Sequence, residues 1–271
     1  MSADTAPYPV QVTATGTATH VITDDEAMAF GIDQSGLLKV GQAFLGQAPD
    51  GAVLHGPTPW GDLYSTYKWP EVYSTLTPAN TQGESNVSVV TLAQRTLSNP
   101  GTQPLVVEAG LSVVAQNTVS SSWVGNMNSF SPGPALVRTV VWPQQSAPFS
   151  LTGTWGKTAT ATQDVALGRA ANVPVNLAPG QTATTTLTAN TNTVQAVSHW
   201  NVTVDGVVAA YYADRFKDHY FWAFPLPTGM EAAGLSPKQM ISEHLMAQFF
   251  TGAVITVRDS AGVVLATVPV P

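Results

Sequence analysis

The chain reads as mainly β, built on long antiparallel strands. Three observations predict this. Stretches such as "APFSLTGTWGKTATATQD", starting at Ala147, alternate apolar and polar residues with period two, as a half-buried strand does. Charged residues make up only 10% of the 271 and hydrophobic residues 44%, so Ser, Thr, Asn and Gln supply the polarity, and Thr favours strands. Only one segment, beginning at Ser236, carries a full set of helix signals.

The elements follow in order. Residues 10–23, "VQVTATGTATHVIT", form a strand with a glycine in it, and "DDEAMAF" starts a short helix at Asp24. From Gly31 to Pro59, Gly and Pro break short apolar runs, which predicts short strands and loops. "PWGDLYSTYKWPEVYSTL" then gathers Trp60, Tyr64, Tyr67, Trp69 and Tyr73. Such rings either pack a β-domain or form an exposed surface for sugar, lipid headgroup or receptor, because Tyr and Trp pair an apolar body with a polar tip. In "LSVVAQNTVSSSWVGNMNS", Leu111, Val113, Ala115, Val119, Trp123 and Met127 share one parity, and Ser112, Gln116, Thr118, Ser120, Ser122, Asn126 and Asn128 the other; Val114 is out of step.

From Ala147 the same division recurs. Phe149, Leu151, Gly153, Trp155, Ala159 and Ala161 fall on one face, and Ser150, Thr152, Thr154, Thr158, Thr160 and Thr162 on the other. Lys157 sits on the apolar parity. A third strand, "QTATTTLTANTNTVQAVSHWNVTV", changes its apolar phase, which predicts a β-bulge near 190–193. Asp205 and Gly206 are a hairpin-turn signal. Ser236 as N-cap, Pro237 at the first helical position, Gln239 completing a capping box, then Ile241, Leu245 and Phe249, with Gly252 as the stop, predict a helix. "AVITVRDSAGVVLATV" predicts a closing hairpin that turns at 259–262.

Several function classes drop out. Net charge is −7 with no run of Lys or Arg, which argues against a nucleic-acid partner. The absence of cysteine removes disulfides, thiolate metal sites and a Cys nucleophile. "MSADTAPYPV" has neither a basic nor an apolar leader region, so export as a mature form or by another route is expected. No apolar run reaches the ~18–20 residues of a membrane helix, so any membrane contact comes from β-structure or from the surface. His20, His55, His199, His219 and His244 show no metal-ligand spacing, and there is no nucleophile elbow, P-loop or dinucleotide fingerprint. "DRFKDHYFW" reads as a solvated turn followed by aromatic core, and nothing brings the strand carboxylates Glu108 and Asp164 together. No catalytic residue, metal site or cofactor is expected, and no enzyme.

The hydroxyl-faced ribbon has two readings. Periodicity alone fits an ordinary β-sandwich. It also fits a transmembrane β-strand of ~9–11 residues, apolar toward lipid and polar toward a lumen, where a charge on the lipid face costs ~2–4 kcal/mol. The two-faced strands at about 111–128 and 149–164 flank "SPGPALVRTVVWPQQSAP", with Trp123 and Trp155 nearly symmetric about it. The loop 132–148 holds Leu136, Val137, Val140, Val141 and Trp142 between prolines, an apolar tip suited to enter a bilayer first.

At "TVSSSW", "SLTGTWGKTATATQDVAL" and "VPVNLAPGQTATTTLTA" the sequence resembles the aerolysin-like β-pore-forming toxins, over roughly 97–208. The resemblance implies an elongated architecture with an insertion hairpin and a mixed β/α head. It implies release as a soluble form, binding of a cell-surface receptor (glycan, lipid or protein), ring assembly from copies of the chain, and a β-barrel in the target membrane. On that pattern the head comprises 1–98 plus 214–251, and the pore-forming module 99–213 plus 252–271, with the insertion hairpin at about 118–164. Val119, Trp123, Met127, Phe149, Leu151 and Trp155 would face lipid; Ser120, Ser122, Thr152, Thr154 and Thr158 would face the lumen. Trp60, Tyr64, Tyr67, Trp69 and Tyr73 become the receptor-binding candidates. Relatives that need proteolytic activation make Arg215, Lys217 and Arg258 cleavage candidates. The alternative is a non-lytic carbohydrate-binding or storage protein on the same fold.

Overall fold

The computed structural model describes residues 11–15, 17–124, 135–141, 149–154, 156–168 and 172–270. In chain order the elements are β1 (Gln11–Thr15), β2 (Ala18–Val21), α1 (Asp24–Ala29), α2 (Gln34–Leu45), β3 (Gly51–Val53), α3 (Leu63–Tyr67), β4 (Tyr73–Ser98), β5 (Leu105–Glu108), β6 (Val113–Val124), β7 (Ala135–Val141), β8 (Phe149–Thr154), β9 (Ala159–Leu167), β10 (Pro174–Leu177), β11 (Thr182–Asp205), β12 (Val207–Phe216), β13 (His219–Pro225), α4 (Leu226–Ala232), β14 (Lys238–Asp259) and β15 (Val264–Pro269).

One long antiparallel sheet, ordered β2-β4-β11-β14-β6-β9, forms the body. Its centre is β11, 24 residues long, flanked by β4 and β14 along almost its whole length. β14 is shared: residues from Ser242 to Gln248 pair with β6, and residues from Val254 to Arg258 pair with β15. Smaller sheets, β1-β7-β8, β10-β5 and β13-β12-β3, pack around it.

Apolar clusters succeed one another along β11 because its inward parity carries Ala, Leu, Val and Trp. The helical end gathers Leu76, Trp200, Val202 and Ile241 with Phe30, Val40, Phe224 and Met230. A middle cluster holds Val119, Leu151, Val194, Ala196, Leu245, Ala247 and Phe249. The far end joins Leu97, Leu187, Ile255 and Val257 to Val175 and Leu177.

The long third strand, β11, and the hairpin at 259–262 form as the sequence predicts. The phase change in β11 is also seen: register against β14 shifts between Thr188 and Asn190, and both Thr191 and Asn192 are buried. Other expectations are corrected. The helix from Ser236 is instead β14. Four-residue spacing is even, so Ile241, Leu245 and Phe249 share a face in either conformation. In the structure Glu243 and Ala247 are buried between them, and pairing to β11 and β6 decides the outcome. Ser236 caps no helix; its hydroxyl donates to Lys238 O, and Gln239 Nε2 donates to Ala29 O.

The stretch expected as short strands and loops contains α2. Asp33 caps it by accepting from Gly36 N at 2.9 Å, and Gly46 ends it at φ 93°. Its glycines read as breakers, yet Gly41 is a close-packing site where a Cβ would come within 2.8 Å of Pro49. The expected hairpin at Asp205 and Gly206 is a sheet change: β11 stays in the body while β12 pairs with β13 and β3. The true turn follows Phe216, with Lys217 and Asp218 at φ 47° and 69°, within the stretch read as a solvated turn.

The ribbon from Ala147 is not one strand either. Gly156 at φ 75° turns the chain, separating β8 from β9, and Lys157 is exposed in that turn. The presumed loop at 132–148 contains β7, so the tip candidates Leu136, Val137, Val140 and Val141 lie in a strand paired with β8. The first ten residues, Met127, Trp142, Trp155 and the prolines Pro143 and Pro148 lie outside the described residues.

Gly206 makes the sheet change possible. It sits at φ 130°, and a Cβ there would fall 2.3 Å from Glu71 O. Gly206→Ala is therefore expected to cost about 2–3 kcal/mol of unfolding free energy through strain and clash. Gly234→Ala, at φ 75° with nothing within 4 Å of the new methyl, should cost about 1 kcal/mol. Urea midpoints of the two variants check the ordering.

Candidate insertion region and receptor face

β6 and β9 pair antiparallel from Val113↔Leu167 to Ser121↔Ala159, at the edge of the body sheet. The chain between them returns as the pair β7–β8, with β1 on the other edge of β7. The parity read from the sequence divides these strands by environment. Val119 is fully buried, and Trp123 and Leu151 are nearly so. Ala159 and Ala161 pack against the same middle cluster. On the other parity Ser122, Thr152 and Thr158 are exposed and Ser120 is half-buried. Phe149 and Thr154 occupy β8. Over the described side chains of β6, β8 and β9, the apolar parity is thus turned onto the protein's own body and the hydroxyl parity to water.

One charged pair joins insert to body. Arg138, in β7, and Glu243, in β14, are both 0% exposed. Arg138 Nε donates to Glu243 Oε1 at 2.6 Å, and a second guanidinium nitrogen approaches the same oxygen at 2.5 Å. Arg138 Nη1 also donates to Gly153 O at 3.2 Å, across the β7–β8 pair. The guanidinium lies 5.5 Å from the Trp123 ring centroid, and Trp200 Nε1 donates to Glu243 Oε2 at 3.3 Å. Both charges have left water, so each is tolerable only beside the other.

Sequence reasoning missed this pair. Arg138 interrupts the apolar run "LVRTVV", and a lone charge in such a run calls for a partner. Glu243 was hidden by the helix expectation.

The aromatic candidates separate into two groups. Tyr64 is 3% exposed; its hydroxyl lies 2.8 Å from Val53 O, and burial pushes its phenol above the usual range. Trp60 is half-buried and stacks on Tyr211 at 4.9 Å. Tyr67 and Tyr73 are exposed, and Trp69 stacks on Tyr67 at 4.9 Å. The structure therefore brings Tyr67 and Tyr73 to the surface, buries Tyr64, and leaves Trp60 and Trp69 half-buried against the Tyr64 cluster.

Glu108 and Asp164 do not meet: Glu108 accepts from Gly110 N and Val173 N, and Asp164 from Gln116 Nε2. Among the described residues no group of three or more His, Asp or Glu could hold a metal ion, and no helix is long and apolar enough to cross a membrane.

No family model matches the chain. It is 28% identical to U-megalopygitoxin(8)-Mo12 of Megalopyge opercularis over 250 residues, 92% of this chain and 86% of that protein. It is 27% identical to U-megalopygitoxin(8)-Mc8 of Megalopyge crispata over 247 residues, 90% and 85% of the two chains. Among solved structures it is similar to parasporin-2, a Bacillus thuringiensis toxin that recognizes cancer cells. That match has a TM-score of 0.70 and 18% identity, covering 94% of this chain and 100% of the other. The fold is that of the aerolysin-like toxins.

Removing one partner of the buried pair strands the other charge. Arg138→Met is expected to lose about 3–5 kcal/mol of stability, and Arg138→Met with Glu243→Leu to recover most of it. A double-mutant cycle from urea unfolding measures the coupling.

Proposed function

We propose that this chain, carrying the aerolysin-like fold, is a β-pore-forming toxin or defence protein. It is released as a soluble form, binds a receptor on the target cell, assembles with copies of itself, and contributes one hairpin per copy to a membrane barrel. The observation that carries this reading is the division of the insert. Its apolar parity is covered by the protein's own body while its hydroxyl parity already faces water.

Such a segment can exchange protein for lipid on one face and keep water on the other. A lone hairpin in lipid would leave backbone N–H and C=O groups unpaired, so insertion requires a closed ring of hairpins. A heterologous interface whose rotation closes supplies that ring. In this reading Val119, Trp123, Met127, Phe149, Leu151 and Trp155 meet the acyl chains, and Ser120, Ser122, Thr152, Thr154 and Thr158 line the lumen. The similarity to proteins named as toxins supports the same function.

The receptor-binding head would comprise 1–98 plus 214–251, the ranges that carry all four helices of the described residues, and the pore module the remainder. β12 runs across 213/214 and β14 across 251/252, so the two parts share strands. The mode of action is mechanical and requires no catalytic group.

Leu151→Arg is a poor test, because Leu151 is 1% exposed in the soluble fold and a buried charge would unfold it. Thr152 is exposed, so Thr152→Lys should fold normally. In planar bilayers the variant is expected to conduct with its reversal potential moved toward anion selectivity, since lumen charges tune selectivity. Intact conductance with an unmoved reversal potential would contradict the lumen assignment.

A further inference from the structure

We propose that the cavity between α3 and the start of β4 is a carbohydrate subsite that takes a pyranose unit without negative charge. The proposal deepens the receptor-binding part of the reading above and rests on it. The cavity has a volume of about 560 Å3, and its wall includes Gly56, Asp62, Trp69, Glu71 and Tyr73.

Its chemistry matches the two sides of a sugar ring. Trp69 and the exposed Tyr73 supply flat apolar surface for ring C–H groups, and Tyr67 stacks on Trp69 with an interplanar angle of 21°. The polar side is a pair of held carboxylates. Asp62 Oδ1 accepts from Ser65 N at 3.1 Å, and Glu71 Oε1 accepts from Gly56 N at 2.8 Å. A carboxylate has about four acceptor positions, so each keeps capacity for the O–H donors of ring hydroxyls.

Gly56 keeps the space between the carboxylates open. A Cβ at that position would lie 3.1 Å from Asp62 Oδ1 and 3.4 Å from Glu71 Oε1. Two negative charges at the wall repel a sialic acid or a sulfated unit and accept neutral or amino-bearing sugars. Both carboxylates also serve the fold, Asp62 as the N-cap of α3 and Glu71 as the acceptor for Gly56 N, so their positions are fixed before any ligand arrives.

The experiment is ligand-observed NMR of the full chain without membranes. The probes are methyl α-mannopyranoside, methyl β-galactopyranoside and the methyl glycoside of N-acetylglucosamine, with sialic acid and choline beside them. At least one neutral glycoside is expected to bind, and sialic acid is not. Gly56→Ala should lower the affinity about tenfold or more by filling the gap, and Glu71→Gln by a similar factor through its weakened acceptor. Glu71→Gln carries the test if the Gly56 variant does not fold.

Binding by no glycoside, binding unchanged in both variants, or binding of choline alone would overturn the subsite. The assay needs no pore. A protein that releases dye from cells but binds no glycoside defeats the subsite alone, and one that binds glycosides but never permeabilises a membrane defeats the pore reading alone.

Discussion

A guanidinium and a carboxylate, 2.6 Å apart and wholly out of solvent, join the insert to the body. The rest of the insert's placement follows from that pair. Arg138 lies opposite Ala14 in β1 and Leu151 in β8, so fixing it on Glu243 fixes the register of three strands over the sheet. A buried ion pair adds less net stability than well-packed apolar side chains of equal volume, but it tolerates little misalignment. Hydrocarbon here would make the insert an ordinary piece of core. An ion pair holds it in one place, and in the proposed insertion both charges would regain hydration.

The packing of the insert divides at the pair: Trp123 and Trp200, which touch it, belong to the helical-end cluster, and Val119 and Leu151 to the middle one. Among the described residues the middle cluster has seven buried apolar members, against twenty at the helical end. Local opening follows the thinnest packing. The helical end holds its own helices and a separate small sheet, and Trp123, packed on Trp200, is the part of the insert that reaches its core. β14 pairs with β6 over one half and with β15 over the other, so the body sheet keeps its far end even if its edge at β6 and β9 is disturbed.

Much of this was legible in the sequence wherever side chains alternate strictly. The inward parity of β6 and the burial of Leu151 follow from period two alone. Spacing failed where it was ambiguous: residues four apart share a face in helix and strand alike, and only the neighbours β11 and β6 made the segment from Lys238 extended. Glycine misled in both directions. Gly36 and Gly41 lie inside α2, while Gly206 marks a change of sheet in place of a hairpin. The Arg138–Glu243 contact spans 105 residues, and no local pattern encodes it. The aromatic cluster was visible as composition, but its division into packing rings and surface rings depends on how α3 seats Tyr64 under β12.

The central claim is that the two-faced insert leaves the body and lines a barrel. Because the chain has no cysteine, single cysteines can be placed one at a time through 158–162, where every side chain is exposed or half-buried, and labelled with an environment-sensitive dye. On target membranes the account predicts an alternating signal. Labels at odd positions enter an environment quenched by lipid-borne quenchers, and labels at even positions stay open to aqueous quenchers added with the pore. Labels that keep their soluble-state signal while the membrane becomes leaky, or that change without alternation, would contradict it.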